Sequence, residues 1–146
     1  DDGSTLTPTE AYNAWLALYP TLGGNTNLSD DVDGDLLVNL AEYAFDGDPS
    51  DGNDQGNFPI QSQASEGGTN YIQYIYYARD DAVDRGLSYN IRTDTDLVND
   101  PGWTNAFYEV TGTNLTPGIS GFIAVTNRMP IDVSERFLGL QIELTE

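Results

Sequence analysis

The chain has 146 residues and a net charge of −19, and its five cations are all arginines: Arg79, Arg85, Arg92, Arg128 and Arg136. A field of that sign repels nucleic acid and anionic membrane surfaces, so neither is expected as a partner, whereas divalent cations are attracted. With no Cys and no His, disulfides, thiolate nucleophiles, histidine-based triads and zinc centres of the usual kind are all excluded.

The length fits one domain, or one domain carrying a small helical appendage. No apolar run approaches the roughly 20 residues of a membrane-spanning helix. After a short extended arm at residues 1–6, Thr7-Pro8-Thr9-Glu10 is a helix start. Thr7 can cap, Pro8 suits the first helical position and Glu10 completes a capping box. Ala11, Ala14, Trp15 and Leu18 follow at helical spacing until Pro20 ends the run.

Residues 31–42 carry the most informative pattern. Oxygen side chains fall at loop positions one, three, five, nine and twelve: Asp31, Asp33, Asp35, Asn39 and Glu42. That is the ligand ladder of an EF-hand calcium loop, with the seventh ligand position supplied by the Leu37 backbone carbonyl and Glu42 able to bind bidentately. Calcium takes six to eight hard oxygens, and alternate residues of a tight loop can aim theirs at one point. Position six, where such loops carry Gly for the sharp turn, is Leu36. Leu37, Leu40, Ala41, Ala44 and Phe45 then suggest a second short helix, so residues 7–46 read as a helix–calcium loop–helix hairpin, too small to bury a core alone.

Residues 47–57, with Asp46 before them, consist of turn formers and oxygen-bearing side chains and read as an acidic linker. Asp46 and Asp48 are candidate ligands of a second ion. From residue 58 the hydrophobic period changes to two. Strands are expected over 58–63, 71–79, 87–92, 107–111, 119–126 and 138–145. The resulting expectation is an α+β, mainly β domain. It comprises an antiparallel β-sandwich of about six strands (immunoglobulin- or jelly-roll-like) over residues 58–146, preceded by the hairpin.

Three segments together carry a likeness: the Trp15 helix with Leu22-Gly23, the run from Asp31 through Asn39-Leu-Ala-Glu-Tyr-Ala44 to Asp48-Pro49, and residues 87–97 with Trp103. The chain resembles an extracellular module at the ends of secreted proteins from planctomycete- and verrucomicrobia-type bacteria. There an Asp-x-Asp-Gly-Asp-Gly-Leu-x-Asn-x-x-Glu-Tyr-Ala loop precedes a small β-domain. The loop alone is similar to dockerin and thrombospondin type 3 repeats. Leu36 departs from the family's Gly, and Gly139 stands where an Arg is usual. The resemblance implies a non-catalytic, calcium-stabilised extracellular module and names no ligand.

Other chemistry is sparse. Asp94 and Asp96 are a carboxylate pair of the kind glycosidases use, but among 24 acids close pairs are inevitable, and a turn or strand edge is the better reading. Tyr74, Tyr76 and Trp103 are candidate sugar or partner contacts, since aromatic faces stack on pyranose rings. Asn27 and Asn114 begin glycosylation-type sequons. Without an initiator Met or signal peptide, the chain reads as a mature secreted or cell-surface product. The strictly alternating last strand and the N-terminal arm can complete a neighbour's sheet, and such a head-to-tail contact propagates. The expected function is therefore an extracellular, calcium-binding structural subunit that is not an enzyme. It would assemble with itself into a filament or surface layer through terminal-strand or edge contacts. The alternative is a carbohydrate-binding module of a secreted polysaccharide-degrading system, with a polysaccharide as partner.

Overall fold

A computed structural model describes residues 5–94, 108–131 and 137–146. Over those residues the protein is mainly antiparallel β, with two α-helices and six strands in two sheets. It divides into two compact units. One comprises residues 1–58, 79–88 and 142–146, and the other residues 59–78 and 89–141. No helix among the described residues is long and apolar enough to cross a membrane.

In the first unit, α1 (Pro8–Leu16) starts as its sequence dictates. The Thr7 hydroxyl accepts from the Glu10 N–H, and Glu10 reaches back to the Thr7 N–H at 2.8 Å, so two orphan donors are satisfied reciprocally. The buried stripe differs from the expected one. Tyr12, Trp15 and Leu16 face inward, whereas Ala14 is exposed and Leu18 lies beyond the helix, 71 % exposed. The large aromatic surface of Tyr12, with Trp15, outweighs two alanines in choosing the face. A 3-10 turn (Pro20–Leu22) then buries Leu22.

The second helix, α2 (Asn39–Phe45), has no side-chain cap. Its first amides are satisfied by main chain instead: Asn39 N–H donates to Asp30 O (2.8 Å) and Leu40 N–H to Leu28 O (3.0 Å). The face expected to be aliphatic is mostly not. The buried residues are Asn39, Glu42, Tyr43, Ala44 and Phe45. Tyr43 is fully buried at the centre of the unit, edge-on to Tyr12 (5.3 Å) and tilted against Trp15 (5.3 Å). The guanidinium groups of Arg79 and Arg85 lie 5.2 and 5.6 Å from its ring centre. Arg79 also donates to the Tyr43 carbonyl, and Arg85 to the Tyr43 hydroxyl. Both cations are thereby fixed on one aromatic residue, and cation–π attraction adds to the packing.

The second unit holds most of β1 (Ile60–Glu66), β2 (Thr69–Arg79), β3 (Leu87–Asp94), β4 (Glu109–Asn114), β5 (Phe122–Pro130) and β6 (Phe137–Leu144). Four strands form a sheet in the order β1-β2-β5-β4, and β3 pairs with β6. The β1–β2 hairpin is antiparallel and turns at Gly67-Gly68, both at positive φ. The strand expected at 119–126 begins later, because Gly118 and Gly121 take φ of 85° and 79° and hold the chain in a turn until Phe122. A register shift between Val110 and Gly112 bends β4 against β5. Tyr74, Ile91, Phe122, Ala124 and Met129 are buried. Asn127, also buried, donates to the carbonyls of Tyr74 and Val125. Arg128 stacks on the Tyr71 ring at 4.3 Å and is bonded to Glu66 and Glu109.

Candidate metal centre

The loop at residues 31–37 is organised by its own carboxylates. Asp31 accepts from the Gly34 N–H (2.8 Å) and the Leu36 N–H (3.1 Å). Asp33 accepts from Asp35 N–H, and Asp35 from Leu37 N–H at 2.7 Å. Each short acid folds the chain toward itself, and the acids end up converging. One ligand oxygen from each of Asp31, Asp33 and Asp35 lies within 4.8 Å of the others. That is the span of oxygens sharing a calcium ion, whose bonds run about 2.3–2.6 Å.

The position-six residue, Leu36, takes φ of +77° and is 89 % exposed. It therefore adopts the left-handed backbone that such a loop requires, although a Cβ makes it costly, by roughly 1–2 kcal/mol. Leu36→Gly is expected to remove that strain without loss of buried contact. It should raise the melting temperature by a few degrees or leave it unchanged, and tighten cation binding in a calorimetric titration.

Glu42, at position twelve, lies on α2 and is only 1 % exposed. Neither of its carboxylate oxygens has a hydrogen-bond partner among the described residues, nor does Asp33 Oδ2. Burial, with Asp35, Asp33, Asp54 and Asp48 nearby, pushes its carboxyl up to about 8, and burial likewise raises Asp33. A buried, unpaired carboxylate ringed by acids is costly, and a bound cation is the usual remedy. The other expected ligands are placed as follows. Asn39 is buried and holds the carbonyls of Asn25 and Asn27 through Nδ2, leaving its Oδ1 without a partner among the described residues. Leu37 lies in the turn just before α2.

A pH dependence follows from Glu42. Its folded-state value of about 8 exceeds the ordinary 4.5, so the folded chain keeps a proton that the unfolded chain releases. That contribution to stability is complete below about pH 4.5 and is lost as pH rises through about 8. Thermal melts in chelator should therefore show a falling midpoint across this window, and calcium should flatten the fall.

The segment 46–57 is folded against this centre, in the same compact unit. Asp48, Asp51 and Asp54 each accept from an amide two residues on (Ser50, Asn53 and Gly56), giving three successive Asx turns. Gln55 Nε2 donates to Asp35 Oδ2 at 2.9 Å, and Tyr19 hydroxyl donates to the Gly47 carbonyl. A Cβ on Gly47 would fall 1.7 Å from Glu42 Oε2 and 2.8 Å from the Asp54 carbonyl oxygen. One on Gly52 would sit 3.2 Å from Asp35 Cβ. Gly47, Gly52, Asp54 and Gln55 were not expected from the sequence at this site. Their one signal was the spacing of three between Asp48, Asp51 and Asp54. As a candidate ligand of a second ion, Asp46 is already paired: its carboxylate meets Arg79 at 2.9 Å.

The other candidates lie apart from this centre. Tyr74 is buried, whereas Tyr76 is half-buried and stacks on Tyr89 at 5.9 Å. Trp103 and Asp96 fall outside the described residues, and Asp94 is buried at the end of β3. Asn27 and Asn114 are exposed. Asn27 is tied to Asp30, and Asn114 accepts from the Thr116 N–H. No protein-family model matches the chain, and comparison with curated proteins and with solved structures returns no match.

Proposed function

We propose that the protein is a non-catalytic, extracellular structural module clamped by calcium. The observation that carries this reading is Glu42: a carboxylate 1 % exposed, without hydrogen-bond partners among the described residues, beside the convergent Asp31, Asp33 and Asp35. An EF-hand-like loop on a short helix pair is the arrangement that suits it, and the two sheets suit the layers of a β-sandwich. A bound ion stabilises the folded chain by about 2.7 kcal/mol when calcium is at 100 times its dissociation constant. For a chain of this size that corresponds to a rise of roughly 5–10 °C in melting temperature. Melts in chelator, in magnesium and in calcium test the reading. A rise with calcium that magnesium does not reproduce is expected, and a midpoint unmoved by millimolar calcium would overturn it.

Self-assembly through terminal-strand or edge contacts is the second part of the proposal: β6 pairs with β3 and residues 1–4 lie outside the described residues, so its support is the exposed outer strands of the larger sheet. Every residue of β4 is exposed, as are six of seven in β1, and neither strand contains Lys or Pro to discourage edge pairing. Sedimentation at rising concentration, with and without calcium, should show calcium-dependent polymers. A monomer at all concentrations would exclude the filament while leaving the calcium clamp intact. The polysaccharide alternative keeps Tyr76 among its described aromatic candidates.

A further inference from the structure

We propose that the calcium site is built from two loops: the ion at residues 31–42 is also held by residues 46–57, with the Asp54 main-chain carbonyl as a ligand. The inference rests on the calcium reading above and extends it to residues that the EF-hand pattern does not include. Its basis is where the buried Glu42 carboxylate points. Glu42 is not part of the convergent Asp31, Asp33 and Asp35 group, and its Oε2 is the atom closest to the position a Gly47 Cβ would take. The Asp54 carbonyl oxygen approaches the same point. Two oxygens therefore meet there, and the carboxylate has no donor among the described residues. A hard divalent cation accepts a carboxylate and a carbonyl oxygen together.

Two contacts hold the second loop against the first, and one closes it on itself. Gln55 reaches Asp35, Gly52 packs on Asp35 and Asp33, and the Asp48 N–H closes the loop on the Asp54 carbonyl at 3.0 Å. That carbonyl has a second lone pair for a metal. Gly47 is then a positional requirement, since any side chain would occupy the point where the oxygens meet. Asp48 and Asp54 add negative charge beside Glu42, although all three acids of the loop, Asp51 included, accept from an amide two residues on.

Calorimetric titration with calcium chloride, paired with amide exchange, tests this on the full chain. Native protein is expected to bind one ion at this centre and to gain exchange protection at the amides of Asp48, Asp51 and Asp54 as well as in residues 31–42. Asp48→Asn with Asp54→Asn should weaken binding at least tenfold, while Asp51→Asn on the same loop stays within twofold. Gly47→Ala should abolish binding, and if it fails to fold in chelator the Asn variants and the exchange pattern decide. Protection confined to residues 31–42, equal losses in the double variant and in Asp51→Asn, or a second ion held independently by residues 46–57 would each overturn the two-loop site. No binding by native protein would instead remove the calcium reading itself.

Discussion

Glu42→Gln is expected to move stability in opposite directions according to how much calcium is present. In chelator at pH 9 the native side chain must be ionised while buried without a partner among the described residues, because pH then exceeds its raised value of about 8. Gln has nearly the same shape and no charge, so the variant should be more stable there, by up to about 5 kcal/mol for a shift of that size. In calcium the difference shrinks, and the order reverses once the concentration is high enough for the ion's contribution to exceed that advantage. The variant loses the bidentate ligand and with it the ion's contribution, about 2.7 kcal/mol at 100 times the native dissociation constant. Melts of both proteins in chelator and in calcium check this. An equal rise with calcium in both proteins would mean that Glu42 is a packing residue rather than a ligand.

Tyr43→Ala is expected to be the most damaging single change in the first unit. Its ring is fully buried against Tyr12 and Trp15, with Arg79 and Arg85 over it, so truncation leaves a large cavity and takes the aromatic face from two guanidinium groups that stay paired with Asp46 and Asp81. Loss of a buried aromatic costs about 3–5 kcal/mol. That is a large fraction of the stability of a domain of this size. Tyr43→Phe keeps the packing and removes only the bond from Arg85, so about 1 kcal/mol is expected. Urea unfolding of the three proteins would separate the two contributions. Equal losses for Ala and Phe would show that the hydroxyl, not the ring, carries the effect.

Local chemistry made much of this fold legible. The Thr7 to Glu10 box acts between neighbours, so its sequence sufficed; the β3 and β6 segments are betrayed by alternation over their own length, and β2 by its density of β-branched and aromatic residues. What was not legible depends on distant partners. Nothing local says that Tyr12 rather than Ala14 turns inward, since that choice is made by Tyr43, which lies 31 positions later. The acidic loop could be read because its oxygens are spaced by one backbone conformation. The placement of the second loop could not, because it comes from folding back onto Asp35 and Glu42, and turn formers look the same in a linker. Leu36 falls between these cases. Its departure from Gly is visible in the sequence, but only the backbone angle of +77° shows that the turn is made regardless.

Calcium titration of the native protein near pH 7, by calorimetry in two buffers of different ionisation enthalpy, tests the central claim most directly. At that pH the Glu42 carboxyl, raised to about 8, is largely protonated, and a cation that takes its oxygens must displace the proton. Saturable binding accompanied by release of close to one proton per ion is the expected result. Binding without proton release would place the ion away from Glu42, and the absence of binding at millimolar calcium would contradict the account altogether.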